Sequence, residues 1–320
     1  EAAGGEECLR LLEQNPTGIS IVLLDIHMDG MDGFAVLEAM NQRGMLEEIP
    51  VIMISSEDTA DSVRRAFDLG ASDYIGRPFD AKVVYQRVSN TIRLYAKQRR
   101  LSAMVADQVY ETEKRSRMMI DILSRVVGRH NGESYAHAQR ISTLTTMLLT
   151  HLTQKTDAYP LSQEMRRTIG MASMLHDIGK MEITDRVLNS DARTPEELEA
   201  MRQHTVLGAK MLEELDAYRD EDFVRAACQI CRWHHERYDG SGYPDHLAGE
   251  QIPIAAQAVG LADAYETLVS GSETQPPLPH RKALKQLCEA DAKRFNPLLL
   301  ECLQEIGPEV EDAMQRQTKM

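Results

Sequence analysis

The sequence predicts an open α/β domain over residues 1–90 followed by an all-helical domain over residues 126–320. Short apolar segments alternate with helical stretches in the first part, as expected when helices cover both faces of a parallel sheet. The second part is helical and needs no strand, except short pieces near "GEQIPI" (249–254). A chain of 320 residues is long enough to bury two separate cores.

Three strands are predicted in the α/β domain. They are "ISIVLLDI" (19–26), "PVIMIS" (50–55) and the weaker "DYIG" (73–76), with helical stretches at 33–44 and 57–71 between them. The carboxyl ends of parallel strands meet at one edge of a sheet, and sites form there. That edge carries Asp25, Ser55 and Arg77, so we expect these side chains to lie together.

Residues 91–125 contain neither Gly nor Pro and are predicted to form a linker helix. Apolar residues recur along this helix and could form a stripe that pairs with a second copy as a coiled coil. The stripe consists of Leu94, Leu101, Val105, Val109 and Met119. A solvated connector helix is an equally good interpretation, and only the pairing interpretation makes the protein a homodimer.

Composition limits the partners and the compartment. The formal net charge of -14 should repel duplex DNA, so a phosphorylated substrate needs a local positive centre such as metal ions or lysines. No apolar run approaches the roughly 20 residues that span a bilayer, and the first residues lack the basic and apolar regions of a signal peptide. The five cysteines do not form a disulfide framework. We therefore expect a reduced, cytoplasmic protein without a membrane or DNA partner.

The helical domain contains metal-ligating residue types in helical or apolar surroundings. They are Glu133, His137, His176, Asp177, His204, His234, His235 and Asp263. Taken singly, such a histidine is more often a hydrogen-bonded core residue, and such an aspartate is more often a helix cap. Eight of them on five predicted helices would be costly to bury without partners, and convergence on metal ions removes that cost. Mixed nitrogen and oxygen donors suit iron, manganese, nickel or zinc rather than calcium.

Eight ligands exceed the needs of one ion and imply two or three. Asp177 is the natural bridge, because its neighbour His176 is itself a donor. Two ions close together form the clamp that is used for phosphoester hydrolysis. The glycines of "DGSGYP" (239–244), which follow His234 and His235, permit a positive φ or a close backbone approach to a ligand. We predict that this segment forms a rim over the metal site.

The motifs "HDIGK" (176–180) and "HHERYDGSGYP" (234–244) resemble the HD-GYP family, a subgroup of the HD-domain metal phosphohydrolases, over about residues 125–300. The resemblance implies an all-α HD-type domain that hydrolyses cyclic di-GMP to the linear dinucleotide or onward to GMP. It implies that all eight residues above bind metal and that Asp177 and Lys180 are catalytic, with Lys180 near the substrate phosphate. The residues predicted to bind substrate are Lys180, Asp239, Gly240, Gly242, Tyr243 and Pro244.

The departures from that family lie on the substrate side. After the last aspartate, relatives read like "DAYDALTSxRPYK" and offer an arginine and a lysine, where this chain has Ser272 and Gln275. The departures leave two alternatives open. One is a metal-containing nucleotide-binding or adaptor module with weak turnover, and the other is a phosphodiesterase for a different cyclic dinucleotide.

The segment "LLDIHMDGMDGF" (23–34) resembles the phosphoacceptor segment of receiver domains in bacterial two-component response regulators, which have a flavodoxin-like doubly wound sheet. The resemblance implies that Asp25 is the phosphoacceptor, that Ser55, Tyr74 and Arg77 are switch residues, and that a sensor histidine kinase is a partner. Arg77 replaces the lysine of the family. The sequence also opens on what resembles the second helix, without the first two strands and their magnesium-binding acidic pair. We therefore expect either a piece of a longer chain or a receiver that is not a phosphate switch.

Overall fold

The computed structural model of the protein describes residues 1–15, 18–56, 59–132, 134–190, 194–271 and 276–318. The chain divides into two compact units, Glu1–Glu113 and Lys114–Met320. A parallel sheet with helices is followed by a helical unit, which confirms the predicted fold class. Within the described ranges, each helix is too short or too polar to span a lipid bilayer.

The first unit has a three-stranded parallel sheet in the order β1-β2-β3. Its elements are α1 (Gly5–Gln14), β1 (Val22–Asp25), α2 (Gly33–Gln42), β2 (Val51–Ser55), α3 (Ala60–Asp68) and β3 (Asp73–Gly76). Residues 22 to 25 of β1 pair with residues 51 to 54 of β2, and β2 pairs with β3 from Ile52↔Asp73 onward. The three predicted strands are therefore present, with β1 shorter than the predicted 19–26.

The central strand β2 shows why this sequence forms a buried sheet. Val51, Ile52 and Met53 are fully buried, so both faces of the strand are covered, as its continuous apolar run indicates. Strand β1 differs from that prediction, because Leu23 is 48% exposed while Leu24 is buried. One face of β1 is thus open to solvent in the part of the chain that the structure describes, and only its other face packs into the core.

A single helix, α4 (Ala81–Asn131), contains the predicted linker 91–125. The five residues of the predicted stripe are all more than half exposed, from 52% at Leu101 to 63% at Leu94. Near its end, α4 changes character: Ile120, Ser124 and Val127 are buried in the second unit. Ile120 packs with Ala138 and Met174 there.

The second unit consists of helices and 3-10 turns within its described ranges. After the end of α4 its helices are α5 (Tyr135–Lys155), α6 (Gln163–Ala172), α7 (Asp185–Leu188), α8 (Pro195–Arg202), α9 (His204–Glu213), α10 (Asp222–Trp233), α11 (Ile254–Ser270), α12 (His280–Lys285), α13 (Pro297–Glu305) and α14 (Gly307–Thr318). The prediction of strand pieces near "GEQIPI" is wrong, because Gly249–Gln251 is a 3-10 turn and α11 begins at Ile254. Pro253 lacks the N–H that a strand ladder needs and is the N-cap of α11.

Helices α5 and α11 lie at the centre of the second unit. Ile141, Leu144 and Leu148 of α5 are fully buried, and α11 is buried over nearly its whole length. Small residues in α11 allow close approach by neighbouring backbone. A Cβ at Gly260 would lie only 2.4 Å from the carbonyl oxygen of His234. This close packing brings the end of α10 against α11, and both elements carry candidate ligands.

Candidate metal centre

The predicted ligands come from separate elements of the second unit. His137 lies in the first turn of α5, His204 is the first residue of α9, His234 and His235 follow α10, and Asp263 lies in α11. His176 and Asp177 lie between two 3-10 segments, Ser173–Leu175 and Ile178–Glu182. Glu133 lies outside the described residues. The structure thus describes seven of the eight predicted ligands.

These seven residues meet in two groups. The ligand atoms of Asp177, His204, His234 and His235 lie within 4.8 Å of one another, and those of His137, His176 and Asp263 do so as well. Asp177 belongs to the first group and also reaches the second through His176. Its Oδ1 lies 3.1 Å from Nε2 of His204, and its Oδ2 lies 3.1 Å from Nε2 of His176. The prediction that Asp177 bridges two ions fits this geometry.

Backbone carbonyl groups fix the tautomer of three of the imidazoles. Nδ1 of His176 lies 2.9 Å from the carbonyl of Ser173, and Nδ1 of His204 lies 2.7 Å from that of Met201. Nδ1 of His234 lies 2.9 Å from the carbonyl of Ile230. A carbonyl oxygen can only accept, so each Nδ1 carries the proton and each Nε2 presents a lone pair. This is the arrangement in which histidine binds metals.

Three buried acceptor atoms without hydrogen bonds indicate what kind of ligand the site can bind. Among the described residues, Nε2 of His204, Nε2 of His234 and Oδ1 of Asp177 are buried and form no hydrogen bond of acceptable geometry. Leaving such atoms unsatisfied costs about 1–3 kcal/mol each. They lie close together and all are electron-pair donors, so one shared cation would satisfy all three at once. The donor set therefore fits a divalent metal.

The protonation states also suit metal binding. Burial alone would raise the pKa of Asp177, but Lys180 and His176 hold this pKa well below its ordinary value. Burial lowers the pKa of both His234 and His235 well below the ordinary histidine value. At neutral pH the site thus presents an ionised carboxylate at Asp177 and neutral imidazoles at His234 and His235, which are the forms that bind metals.

Lys180 lies beside Asp177, on the side of the oxygen that faces His176. Its Nζ donates to Oδ2 of Asp177 at 2.8 Å. Gly179 precedes it and packs against the start of α9, since a Cβ on Gly179 would lie 2.0 Å from the carbonyl oxygen of His204 and 2.4 Å from the amide nitrogen of Gly208. The absence of a side chain at 179 allows Asp177 and Lys180 to approach His204.

The segment 239–244 borders the first group through its tyrosine. Tyr243 stacks on His235, with ring centroids 4.9 Å apart, and Pro244 follows it through a cis peptide bond. The turn that precedes Tyr243 shows the positive φ and the close backbone approach that its glycines predict. Gly240 has a φ of +79°, and a Cβ on Gly242 would lie 2.3 Å from a backbone nitrogen. Asp239 is outermost and accepts a hydrogen bond from the Ser241 amide at 3.0 Å.

Residues 117–299 match the HD domain family, and residues 1–89 match the response regulator receiver domain. The chain belongs to the HD-domain family. A receiver domain precedes its HD domain, which confirms both resemblances found in the sequence. The buried His and Asp residues of this HD domain could hold a metal.

Curated relatives share both parts. The chain is 30% identical to a probable cyclic di-GMP phosphodiesterase of Vibrio cholerae, covering 94% of this chain and 70% of the relative. It is 30% identical to the cyclic di-GMP phosphodiesterase response regulator RpfG of Xanthomonas campestris, covering 89% of this chain and 75% of the relative. A cyclic di-GMP phosphodiesterase of Thermotoga maritima is 26% identical, covering 99% of this chain and 86% of the relative.

Sequence reasoning missed two buried carboxylates of the HD domain. Glu266 lies beside His137, and Glu236 accepts backbone N–H groups of Asp245 at 2.7 Å and Leu247 at 3.1 Å. Glu236 thereby holds the chain that follows Tyr243. Both carboxylates could have been identified from the sequence, since an acidic residue within a buried segment needs partners. Glu266 lies three residues after Asp263 on the same apolar helix, and Glu236 follows two candidate ligands directly.

The receiver domain brings together the residues predicted at the carboxyl edge of its sheet. The guanidinium of Arg77 donates to Oδ2 of Asp25 at 3.0 Å. The amide of Arg77 donates to the carbonyl of Ser55 at 2.7 Å, and Ser55 is fully buried at the end of β2. Tyr74 is buried in β3. The arginine that replaces the family lysine therefore still contacts the predicted phosphoacceptor.

Proposed function

We propose that the second unit is a metal-dependent phosphodiesterase that hydrolyses cyclic di-GMP to the linear dinucleotide, to GMP or to both. The observation that supports this most strongly is the pair of adjacent donor groups that Asp177 connects, with one oxygen toward His204 and the other toward His176. Two adjacent cation sites match the requirements of phosphoester hydrolysis. They also supply positive charge within a chain of net charge -14.

In this proposal two or three divalent ions bind, with iron or manganese favoured and nickel or zinc as further candidates. Mixed imidazole and carboxylate donors suit all four metals. The first group would hold one ion through Asp177, His204, His234 and His235. The second group would hold another through His137, His176 and Asp263, and Glu133 is the remaining proposed ligand. When bound, the ions activate water for attack on phosphorus and neutralise the phosphate.

The residues of the chain itself have two roles in the proposed reaction. Asp177 holds the two groups at a fixed separation, because one of its oxygens faces each group. Lys180 places an ammonium group beside Asp177, where it can contact the substrate phosphate and stabilise the charge that develops there. Both are therefore proposed as catalytic residues.

The substrate would bind beside the segment 239–244. Tyr243 offers a ring next to His235, Gly242 lets the segment pack against the backbone at Glu236 and Arg237, and Gly240 provides the positive φ of the turn. We propose Asp239, Gly240, Gly242, Tyr243 and Pro244 as substrate-binding residues together with Lys180. Ser272 and Gln275, which replace basic residues of the family, lie outside the described residues.

A different cyclic dinucleotide is the second candidate substrate. The chain is also 30% identical to the 3'3'-cGAMP-specific phosphodiesterase 2 of Vibrio cholerae, over 59% of this chain and 34% of that relative. Ser272 and Gln275 stand where relatives have basic residues, and this replacement also favours a substrate with a different base or phosphate contact. Both candidates use the same metal groups and differ only in the nucleotide that is recognised.

We propose that the receiver domain controls this activity as part of a two-component system. A sensor histidine kinase would phosphorylate Asp25, with Ser55, Tyr74 and Arg77 as the switch residues. The exposed apolar stripe on α4 supports a homodimer through residues 91–125, because a solvated connector helix has no need of five apolar residues on one side.

Turnover by the purified chain tests the catalytic proposal. The protein is isolated without oxygen, loaded with Fe²⁺ or Mn²⁺, and supplied with cyclic di-GMP or 3'3'-cGAMP. Hydrolysis of cyclic di-GMP that Asp177→Asn abolishes, and that Asp185→Asn on the exposed start of α7 leaves intact, supports the favoured function. Hydrolysis of 3'3'-cGAMP alone supports the second candidate. Tight nucleotide binding without product would instead indicate the adaptor alternative and refute the enzyme.

A further inference from the structure

Helices α5 and α11 meet through two pairs of residues at matching spacing. His137 and Arg140 lie three residues apart on α5, and Asp263 and Glu266 lie three residues apart on α11, so each pair projects from one helix face. Glu266 is 3% exposed. Its carboxylate accepts hydrogen bonds from Nδ1 of His137 and from Nε of Arg140 at 2.7 Å. The Ser270 hydroxyl donates to it at 2.6 Å.

The imidazole of His137 lies between the two carboxylates of α11. Nδ1 contacts Glu266, and Nε2 lies 3.9 Å from Oδ1 of Asp263. An ionised carboxylate can only accept, so Nδ1 carries a proton, and in the neutral imidazole that binds metal the lone pair of Nε2 is directed toward Asp263. Glu266 thus fixes both the tautomer and the direction of a candidate ligand.

His137 differs in this respect from three other histidines of the site. His176, His204 and His234 each place Nδ1 against a carbonyl three or four residues earlier, so their own backbone fixes them. His137 instead contacts a side chain that is 129 residues away in sequence. Its orientation therefore depends on one distant carboxylate, which Arg140 holds in place.

We propose that Glu266 is a positioning residue that orients His137 for metal binding, and that Arg140 keeps Glu266 in the required position. This inference rests on the proposed function for the metal-binding role of the second group. It assigns Glu266 to that group alone, because Glu266 contacts His137 whereas the ligands of the first group have other partners. Loss of Glu266 should then weaken one class of metal site and leave the other unchanged.

The test is a titration of the metal-stripped full chain with Mn²⁺, with the free ion followed by electron paramagnetic resonance. In Glu266→Gln, the amide nitrogen must face either Arg140 or the Nδ1–H of His137, so one of these contacts is lost. We expect one class of Mn²⁺ sites to lose about 10–100-fold in affinity while the other keeps its wild-type affinity. The matched control is Glu305→Gln. Glu305 also accepts from a histidine and a cation, His151 and Lys155, each at 2.7 Å, but lies outside both donor groups.

The outcomes of the titration distinguish failure of the positioning role from failure of the proposed function. Wild-type affinity in both classes of Glu266→Gln overturns the positioning role, and so does an equal loss in Glu305→Gln. If the wild-type chain binds none of Mn²⁺, Fe²⁺, Ni²⁺ and Zn²⁺ tightly, the proposed function itself fails. Should Glu266→Gln lose its helical circular dichroism, Glu266→Asp takes its place. It keeps the charge but is shorter by one methylene, so a smaller loss confined to the same class supports the role, and unchanged affinity overturns it.

Discussion

Gly179→Ala is the substitution whose effect follows most directly from the packing of the site. The new Cβ would lie 2.0 Å from the carbonyl oxygen of His204 and 2.4 Å from the amide nitrogen of Gly208. Both atoms belong to the backbone of α9 and cannot rotate away, whereas ordinary contact for a Cβ begins at 3.4 Å. The segment that carries Asp177 must therefore move away from α9 by more than an ångström.

This movement separates two candidate ligands. Asp177 and His204 are 3.1 Å apart at their nearest ligand atoms, and a metal site tolerates changes in ligand distance of only about 0.2 Å. We expect Gly179→Ala to lower Mn²⁺ affinity by about 100-fold or more, which is the upper range for disturbing residues around a metal site. Overpacking should also lower the free energy of unfolding of the metal-free chain by about 1–3 kcal/mol.

Mn²⁺ titration and urea denaturation of the same preparation measure both effects. The control is Gly170→Ala, whose Cβ would lie 2.2 Å from Oγ1 of Thr146, a side-chain atom that can rotate. This control should retain Mn²⁺ affinity even where it costs some stability. If Gly179→Ala lowers stability and leaves metal affinity unchanged, close packing at this glycine does not position Asp177, and the reasoning is refuted.

Three further predictions concern the ligands and the loop beside them. Asp177→Asn removes the carboxylate that contacts a histidine of each group, so Mn²⁺ binding should weaken in both classes and turnover should fall more than about 100-fold; loss confined to one class would show that Asp177 does not connect the two groups. Glu236→Gln keeps one acceptor oxygen and therefore loses one of the two backbone hydrogen bonds, which is worth about 1.5–3 kcal/mol because the acceptor is charged. The KM should therefore rise about tenfold or more while Mn²⁺ affinity stays unchanged. Burial lowers the pKa of His234 and His235, so the unfolded chain binds more protons below about pH 6.5. His137, whose pKa is raised, is protonated in both the folded and the unfolded chain at such pH and adds no pH dependence there, so urea denaturation of the metal-free chain should show the free energy of unfolding falling by up to about 2.7 kcal/mol per pH unit below about 6.5. A stability that is flat or rises on acidification there would show that these imidazoles are not buried in the neutral form.

The fold could be predicted wherever one local pattern decides the structure. The apolar run of β2 needs cover on both faces and has it, so the strand and its surroundings follow from composition. The exposed Leu23 in β1 shows the limit of this rule, because an apolar run does not tell which neighbours cover each face. The prediction of strand pieces at "GEQIPI" was wrong for a local reason. Pro253 cannot donate a hydrogen bond to a strand ladder, and it is the N-cap of α11.

The sequence also identified the candidate ligands, but it did not show how they divide into two metal-binding groups. A polar residue on an apolar helix is a local signal, and it identifies His204 and Asp263 without knowledge of the fold. The division into a group of four and a group of three depends on how near the segment of Asp177 comes to α9. That distance is set by the contact between Gly179 and Gly208, and a glycine in a sequence does not reveal which backbone lies against it.

Two carboxylates of the site now have different expected effects on metal binding. Asp177 directs one oxygen toward each group, whereas Glu266 contacts a histidine of the second group only. If both groups hold metal, a change at Asp177 must affect both and a change at Glu266 must affect one. A site with a single ion could not produce this difference, because every perturbation would then act on the same binding event. Comparing Mn²⁺ titrations of the two variants therefore counts the ions independently of any nucleotide, and the proposed chemistry requires at least two.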